Sequence, residues 1–269
     1  MSRLHRRSDK NPVSLKRSAA SFLSQQLQLV GFSSPADGLF QCVKEFTDNS
    51  IDACLSLLKT SDANELHPRS KITISISPVS DSNAPASTRR RDRVKAYKVA
   101  VGDTGKGIES LERVRELFGT VFSSSKSNGL EQTAGTFGVA IKSAILYSLS
   151  TRPLTSGVMS VITSSSKSCE LISCDLTMKS HQAEFMSESV QTSPQYFGVS
   201  GTKVSLAILG DLDQALPKIK AYFSALGLLN LPISFSIDIV SPTAGPVLIP
   251  APYVEIQNYP PPGLLSAAA

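Results

Sequence analysis

The sequence contains no apolar run long enough to cross a bilayer. Its longest apolar stretches, such as residues 158–163, are far shorter than the roughly 20 residues that a spanning helix needs. The basic start of the chain is followed by a segment rich in Ser and Gln, which lacks the apolar core of a secretory signal. We therefore expect an intracellular protein with no membrane partner.

Cysteine and histidine are scarce, with four and three residues in the chain. The cysteines are Cys42, Cys54, Cys169 and Cys174, and they form no Cys-x-x-Cys pair and no cluster with histidines. This pattern disfavours a zinc site or a disulfide framework and predicts reduced, mostly buried thiols. The sequence also lacks the P-loop pattern G-x-x-x-x-G-K-[ST] and the Rossmann pattern G-x-G-x-x-G. Those two nucleotide-binding classes are excluded.

The composition is that of one sizeable globular domain with extensions, since 269 residues with 41% hydrophobic and 18% charged content can bury a full core. The net charge of +5 is concentrated in two basic clusters, at 6–17 and 89–95. Such clusters either contact nucleic acid, act as a nuclear address, or are solvated tails and loops. We predict a basic tail over 1–17, one domain over 18–240 with an Arg-rich insertion near 79–95, and a Pro-rich linker or truncated end over 241–269.

Hydrophobic periodicity predicts a domain of mixed helices and strands. Helices are predicted over 18–30, 38–59, 110–118, 137–149 and 212–226. Strands are predicted over 71–78, 95–103, 158–163, 169–176, 183–191, 202–209 and 233–240, the later ones as an antiparallel meander that the last helix and strand close. The predicted core face of the second helix comprises Leu39, Val43, Phe46, Ala53 and Leu57.

The segment KEFTDNSIDAC places polar groups on one face of the second helix. Its members are Glu45, Asp48, Asn49 and Asp52, spaced at i, i+3, i+4 and i+7. Three carboxylates and a carboxamide on one face suit a hard cation such as Mg²⁺, particularly one that arrives with phosphates. A solvated acidic helix face accounts equally well for this segment taken alone.

The segment VAVGDTGKGI runs from an apolar strand into Asp103, Gly105 and Gly107. Glycines at this point let the backbone turn tightly and approach a ligand closely, while a carboxylate at the strand end accepts hydrogen bonds from an exocyclic amine. A simple turn gives the same pattern. An aspartic protease triplet is disfavoured, because that class has two such Asp residues in a mostly β structure.

The segment GTFGVAIKSAILYS is a Gly-x-x-Gly that opens an apolar helix. The unpaired N–H groups and the positive dipole end of such a helix form a phosphate site, although glycines there also serve close packing. The order of the segments strengthens the phosphate interpretation. The acidic helix, the strand-end Asp and the Gly-rich helix start are followed by Gly201 and Thr202 at the entry to a strand.

These segments, in this order, resemble the motifs of the GHKL superfamily of ATPases, whose Bergerat fold binds ATP. The similarity is greatest to the B subunit of topoisomerase VI. Residues 18–54 resemble its opening helix and its E-L-V-D-N-S-L-D-A box, and residues 117–157 resemble the segment in which Ser-Ser-Lys precedes the glycine box. The resemblance covers about 18–240 and implies an α/β protein of the two-layer α+β type, with helices packed on one face of a mixed, mostly antiparallel sheet.

The resemblance also implies a role for each matched residue. Glu45 would be the general base that activates water, Asn49 the Mg²⁺ ligand, and Asp48 and Asp52 their supporting groups. Asp103 would bind the adenine amine, assisted by Thr202. The remaining nucleotide contacts would come from the glycines of the turn, the lid and the glycine box: Gly105, Gly107, Lys126, Ser127, Gly135, Thr136, Phe137, Gly138, Val139, Ala140, Ile141 and Lys142.

The chain departs from the family pattern at Ala140, where the glycine box usually has a third glycine, so that the lid would close less tightly. It also ends before the transducer, whose lysine contacts the γ-phosphate in the family. We therefore expect ATP and Mg²⁺ as cofactors with slow turnover. The implied function is a B-type subunit that dimerises on ATP, within a heterotetramer, and gates DNA double-strand cleavage by an A-type partner, in the nucleus and in a meiotic form. A Bergerat-fold scaffold without ATP, and a GHKL chaperone or kinase, are the alternatives.

Overall fold

The structure, a computed structural model, describes residues 27–60, 70–79, 94–119, 140–151, 157–168, 170–179, 182–192, 200–241 and 245–247. The described helices are α1 (Pro35–Thr60), α2 (Leu111–Gly119), α3 (Ala140–Thr151) and α4 (Leu212–Gly227), preceded by a 3₁₀ turn at Leu27–Val30. The described strands are β1 (Ser70–Pro78), β2 (Val94–Asp103), β3 (Met159–Ser164), β4 (Glu170–Lys179), β5 (Gln182–Thr192), β6 (Gly201–Asp211), β7 (Ile233–Ser241) and β8 (Gly245–Val247).

The described strands form a single sheet in the order β5-β4-β3-β6-β2-β1-β7-β8. Every neighbouring pair is antiparallel except β1 and β7, which run parallel. The predicted mixed, mostly antiparallel sheet is therefore confirmed, and so is the α+β class.

The predicted meander holds only for β3, β4 and β5. Strand β6 turns back to pair with β3 on one side and with β2 on the other, and β7 lies beside β1 rather than closing the meander. The cause is the crossover helix α4. Parallel strands need a crossover connection, usually a helix, and α4 lets β7 run parallel to β6 and to β1, on the far side of β2 and β1.

The helices cover one face of the sheet. Helix α1 packs on β6, β2 and β1, and α3 packs on β6 and β4. In β1 the covered face carries Ile72, Ile74 and Ile76, all buried, while the alternate residues, such as Lys71 and Thr73, are exposed. This alternation is the expected pattern for a sheet with one covered and one open face.

Helix α1 begins at Pro35, three residues before its predicted start. The Ser34 hydroxyl accepts a hydrogen bond from the Asp37 amide at 3.1 Å, and it donates to the Asp37 carboxylate at 2.7 Å, which satisfies the first turn. Proline is favoured at the first helical position because its missing N–H has no partner there in any case. Of the helix predicted over 18–30, residues 18–26 lie outside the described chain and 27–30 form the 3₁₀ turn.

The predicted core face of α1 is partly wrong. Leu39, Val43 and Phe46 are buried as expected, whereas Ala53 and Leu57 are only partly buried. The buried row instead advances in steps of four residues through 42, 46, 50 and 54, and it includes both Cys42 and Cys54. Residues spaced four apart along a helix turn gradually around its axis. The buried row therefore diverges from positions spaced seven apart, such as 46 and 53.

Three of the cysteines, Cys42, Cys54 and Cys174, are free and buried, which confirms the prediction for them; Cys169 lies outside the described residues.

Strands β1 and β2 are adjacent, as expected for strands that flank an insertion, but Lys95 belongs to β2 and the rest of the Arg-rich cluster lies outside the described chain. The short strand β8 falls inside the segment predicted as a linker, because it pairs with β7. No described helix has the length and hydropathy to span a membrane.

Candidate nucleotide site

Asp103 lies at the end of the central strand β2, between β1 and β6, and only 4% of its surface is exposed. Its Oδ1 accepts hydrogen bonds from the amides of Gly105 at 2.9 Å and Thr202 at 3.3 Å. Its Oδ2 accepts one from the Ser50 hydroxyl at 2.9 Å. A carboxylate has about four lone-pair positions, so the buried group can accept roughly one further donor.

Burial raises the pKa of Asp103 to about 6. The hydrogen bonds from Gly105, Ser50 and Thr202 act in the opposite direction, because they stabilise the ionised form, but they only partly compensate for the loss of solvent. At neutral pH the carboxylate is therefore mainly ionised and remains an acceptor.

The glycines after Asp103 are required by protein contacts. A Cβ on Gly105 would lie 2.6 Å from the Ala53 carbonyl carbon in α1. Gly107 has φ +66°, and a Cβ there would lie 1.9 Å from the Ser164 carbonyl oxygen at the end of β3. The described close approaches of these glycines are to α1 and β3, and their predicted approach to a ligand stays a prediction.

Hydroxyl groups bind Asp103 and the residues next to it, and most of them could not be identified from the sequence. The Thr163 hydroxyl accepts from the Ile108 amide and lies 2.9 Å from the Thr202 hydroxyl, and the Ser200 hydroxyl donates to the Gly105 carbonyl at 2.6 Å. Ser50 had a detectable signal, since it falls on the buried row of an amphipathic helix where an apolar residue is expected. The role of Thr163 depends on its register opposite Thr202, which the sequence does not disclose.

Glu45 and Asn49 lie one turn apart on α1, both partly buried. Oε1 of Glu45 accepts from the Gln41 amide nitrogen at 2.6 Å. Nδ2 of Asn49 donates to the Glu45 backbone carbonyl at 2.7 Å. Because a carbonyl can only accept, this bond fixes the orientation of the Asn49 carboxamide and leaves Oδ1 as its acceptor atom. Asp52, one turn further, is also partly buried.

Asp48 is held by two neighbours. Its Oδ1 accepts from the Tyr222 hydroxyl on α4 at 2.5 Å, and its Oδ2 accepts from the Lys44 ammonium at 2.8 Å. The same ammonium lies 3.4 Å from Oε1 of Glu45. Partial burial acts to lower the pKa of Lys44, but the hydrogen bond to Asp48 and the charges of Glu45 and Asp48 outweigh it and raise that pKa, so the ammonium stays charged.

The start of α3 is described from Ala140 onward. Lys142 is 2% exposed, and its Nζ donates to the Leu117 carbonyl in the last turn of α2 at 3.3 Å, while burial lowers its pKa to about 8. Ile141 is partly buried beside it. The predicted phosphate contact of Lys142 would have to displace its contact with α2. The other predicted contacts of the lid and the glycine box lie outside the described residues: Lys126, Ser127, Gly135, Thr136, Phe137, Gly138 and Val139.

No family model matches the chain. Curated proteins of related sequence do match it. Over 207 residues, or 76% of its length, the chain is 31% identical to the B subunit of type 2 DNA topoisomerase 6 of Saccharolobus solfataricus, of which it covers 34%. The match to the same protein of Saccharolobus shibatae has the same identity and coverage. The matched region is homologous to the B subunit of topoisomerase 6. The chain therefore spans only about a third of the length of these curated relatives.

Among solved structures, the chain resembles the ATPase and transducer domains of DNA topoisomerase II from Balamuthia mandrillaris. The TM-score is 0.49 at 16% identity, over 74% of this chain and 46% of that chain. It also resembles the ATPase region of Saccharomyces cerevisiae topoisomerase II, with a TM-score of 0.47 at 17% identity, over 74% of this chain and 47% of that one.

Proposed function

We propose that this chain binds ATP with Mg²⁺ as the B-type subunit of a topoisomerase VI-like complex. The observation that carries the proposal is the buried Asp103 carboxylate, which retains about one acceptor position and lies beside the helix that presents Glu45 and Asn49. Homology to the B subunit of topoisomerase 6 over 76% of the chain supports the assignment.

The remaining acceptor position on Asp103 suits one N–H of an exocyclic amine. Adenine offers such an amine, whereas guanine offers a carbonyl oxygen at the same ring position. A carbonyl facing an ionised, buried carboxylate would leave both acceptors without a donor, at a cost of about 1–3 kcal/mol. Asp103 would therefore select ATP over GTP, with the Thr202 hydroxyl next to it.

Magnesium fits the donor atoms on α1 in one respect. Oδ1 of Asn49 is a hard oxygen ligand whose carboxamide is already oriented by its bond to the Glu45 carbonyl. Within the described ranges no group of three or more His, Cys, Asp or Glu side chains could hold a metal alone, so the other ligands of Mg²⁺ would be phosphate oxygens and water. The ion would neutralise charge on the phosphates.

Glu45 would act on water rather than on the nucleotide base. Gln41 restrains one of its oxygens, and its position one turn before Asn49 would bring a carboxylate near phosphates bound at Asn49. From there it would orient the attacking water and accept its proton, a contribution of typically 10²- to 10⁴-fold in rate.

At the level of the complex, we propose an A-type DNA-cleaving partner. ATP would dimerise two B-type domains within a heterotetramer and thereby gate cleavage of DNA. The divergence at Ala140 favours a meiotic form with a nuclear location over a housekeeping enzyme. The test of this assembly is whether the tagged chain captures an A-type DNA-cleaving protein, with ATP binding measured on the same sample. Capture of none by an ATP-binding chain would refute it.

The nucleotide assignment is tested by calorimetric titration with ATP and with GTP, each with and without Mg²⁺. Wild-type protein should bind ATP more tightly than GTP, and Asp103→Ala should lose at least about tenfold in ATP affinity, equivalent to about 1.4 kcal/mol. Asp238→Asn, which changes a carboxylate on β7 away from the site, is the matched control and should bind as wild type does. Equal affinity of the Asp103 variant and wild type would show that this carboxylate does not bind adenine.

A further inference from the structure

The Tyr222–Asp48–Lys44 chain links helix α4 to Glu45 through three contacts. The Tyr222 hydroxyl donates to Asp48 at 2.5 Å, and the Lys44 ammonium then bridges Asp48 at 2.8 Å and Glu45 at 3.4 Å. Only 12% of each of the two carboxylate side chains is exposed, so these contacts lie in a partly dry environment. In such an environment the position of a single ammonium group matters more than it would in water.

Lys44 lies between the carboxylates of Asp48 and Glu45, and the distances show that it binds Asp48 more closely. At 2.8 Å its contact with Asp48 is an ordinary charge-assisted hydrogen bond, whereas 3.4 Å to Glu45 is long for one. A lysine that closed fully on Oε1 of Glu45, which already accepts from Gln41, would bind the carboxylate more tightly and leave it less available to the attacking water.

Tyr222 keeps Asp48 in the orientation that retains Lys44. Its ring packs edge-on against Phe40 of α1 at 6.3 Å and against Phe223 at 5.1 Å between ring centroids. A ring held on both sides presents its hydroxyl at a fixed point, and the 2.5 Å bond then fixes the Asp48 carboxylate.

We propose that Tyr222 and Asp48 are positioning residues that hold Lys44 mainly on Asp48, limit its contact with Glu45 and thereby keep Glu45 competent as the base. This inference rests on the proposed ATPase function. Lys44 is then an inhibitor of Glu45 that Asp48 restrains. The packing of α4 on α1 affects the rate of turnover but not the affinity for the nucleotide.

The test is a double-mutant comparison of phosphate release under single-turnover conditions, with ATP affinity measured calorimetrically on each protein. Asp48→Asn should lower the rate at least about tenfold, a small part of the value of a general base, with ATP affinity within about twofold of wild type. Asp48→Asn combined with Lys44→Met should recover most of the rate, because the lysine that needs restraint is gone. Tyr222→Phe should lower the rate less than Asp48→Asn, and Lys44→Met should rescue it too.

A purely structural role for Asp48 predicts the opposite, namely that the double variant is at least as slow as Asp48→Asn, and that result would overturn the proposal. A second readout applies where wild-type turnover is too slow to measure. The carboxyl ¹³C resonance of Glu45 should move in Asp48→Asn and return in the double variant, and a resonance indifferent to Asp48→Asn would also overturn it. Failure of the proposed function is distinguishable, since wild-type protein would then bind no ATP.

Discussion

Replacing Asp103 by Asn should stabilise the domain at neutral pH while impairing nucleotide binding. The buried carboxylate has a pKa near 6 in the folded protein against a reference of 3.8. A shift of one unit corresponds to 1.36 kcal/mol, so the ionised group costs the fold about 3 kcal/mol. The amide keeps an acceptor oxygen for the Gly105 and Thr202 amides, and it can donate to the Ser50 hydroxyl.

The sign of the pH dependence follows from the direction of the pKa shift. The folded protein binds the Asp103 proton more tightly than the unfolded chain does, so the favourable contribution is complete below about pH 4 and is lost as pH rises through about 6. Between these limits wild-type protein should lose about 3 kcal/mol that Asp103→Asn retains.

Urea unfolding of both proteins between pH 4 and pH 7.5 measures this difference. The comparison cancels every other titrating group that the two proteins share, including the three histidines of the sequence. The difference in unfolding free energy should grow with pH, with its midpoint between 3.8 and about 6. If the unfolding free energies of the two proteins changed with pH in the same way, Asp103 would not have the raised pKa on which this reasoning depends.

Other predictions follow from single positions. Glu45→Ala should abolish phosphate release while leaving calorimetric ATP affinity within about threefold of wild type, because only the proton acceptor is removed; a large loss of affinity would contradict this. Gly107→Ala should destabilise the domain by at least about 1–3 kcal/mol in urea unfolding, since φ is +66° and the Ser164 carbonyl blocks a Cβ; an unchanged midpoint would contradict it.

Much of the fold is predictable from the sequence because its signals are local. The Ile72, Ile74 and Ile76 alternation specified β1, and the polar spacing around Asn49 specified the acidic face of α1. The pairing of strands is not local. The return of β6 to β3 and β2, and the parallel placement of β7, depend on the crossover α4 and on which strands remain unpaired, and periodicity carries no information on either.

The site shows the same division. Asp103 could be identified from its place between an apolar strand and a Gly-rich turn. Its partners Ser50 and Thr202 come from 53 residues before it and 99 after it along the chain, and only the folded register brings them together. Similarly, the sequence predicts Asp48 as a supporting group of Glu45 and Asn49, but its contact with Tyr222 lies across 174 residues of sequence and could not be predicted.

The most direct test of the account is to follow the backbone amides that donate to Asp103 while ATP is added with Mg²⁺. In ¹H–¹⁵N spectra the Gly105 and Thr202 resonances should shift and saturate with ATP, and they should shift far less with GTP, because adenine has an amine donor at the ring position where guanine has a carbonyl. If neither resonance shifts at millimolar ATP, or if ATP and GTP shift them equally, Asp103 does not bind adenine and the proposed ATP site is wrong.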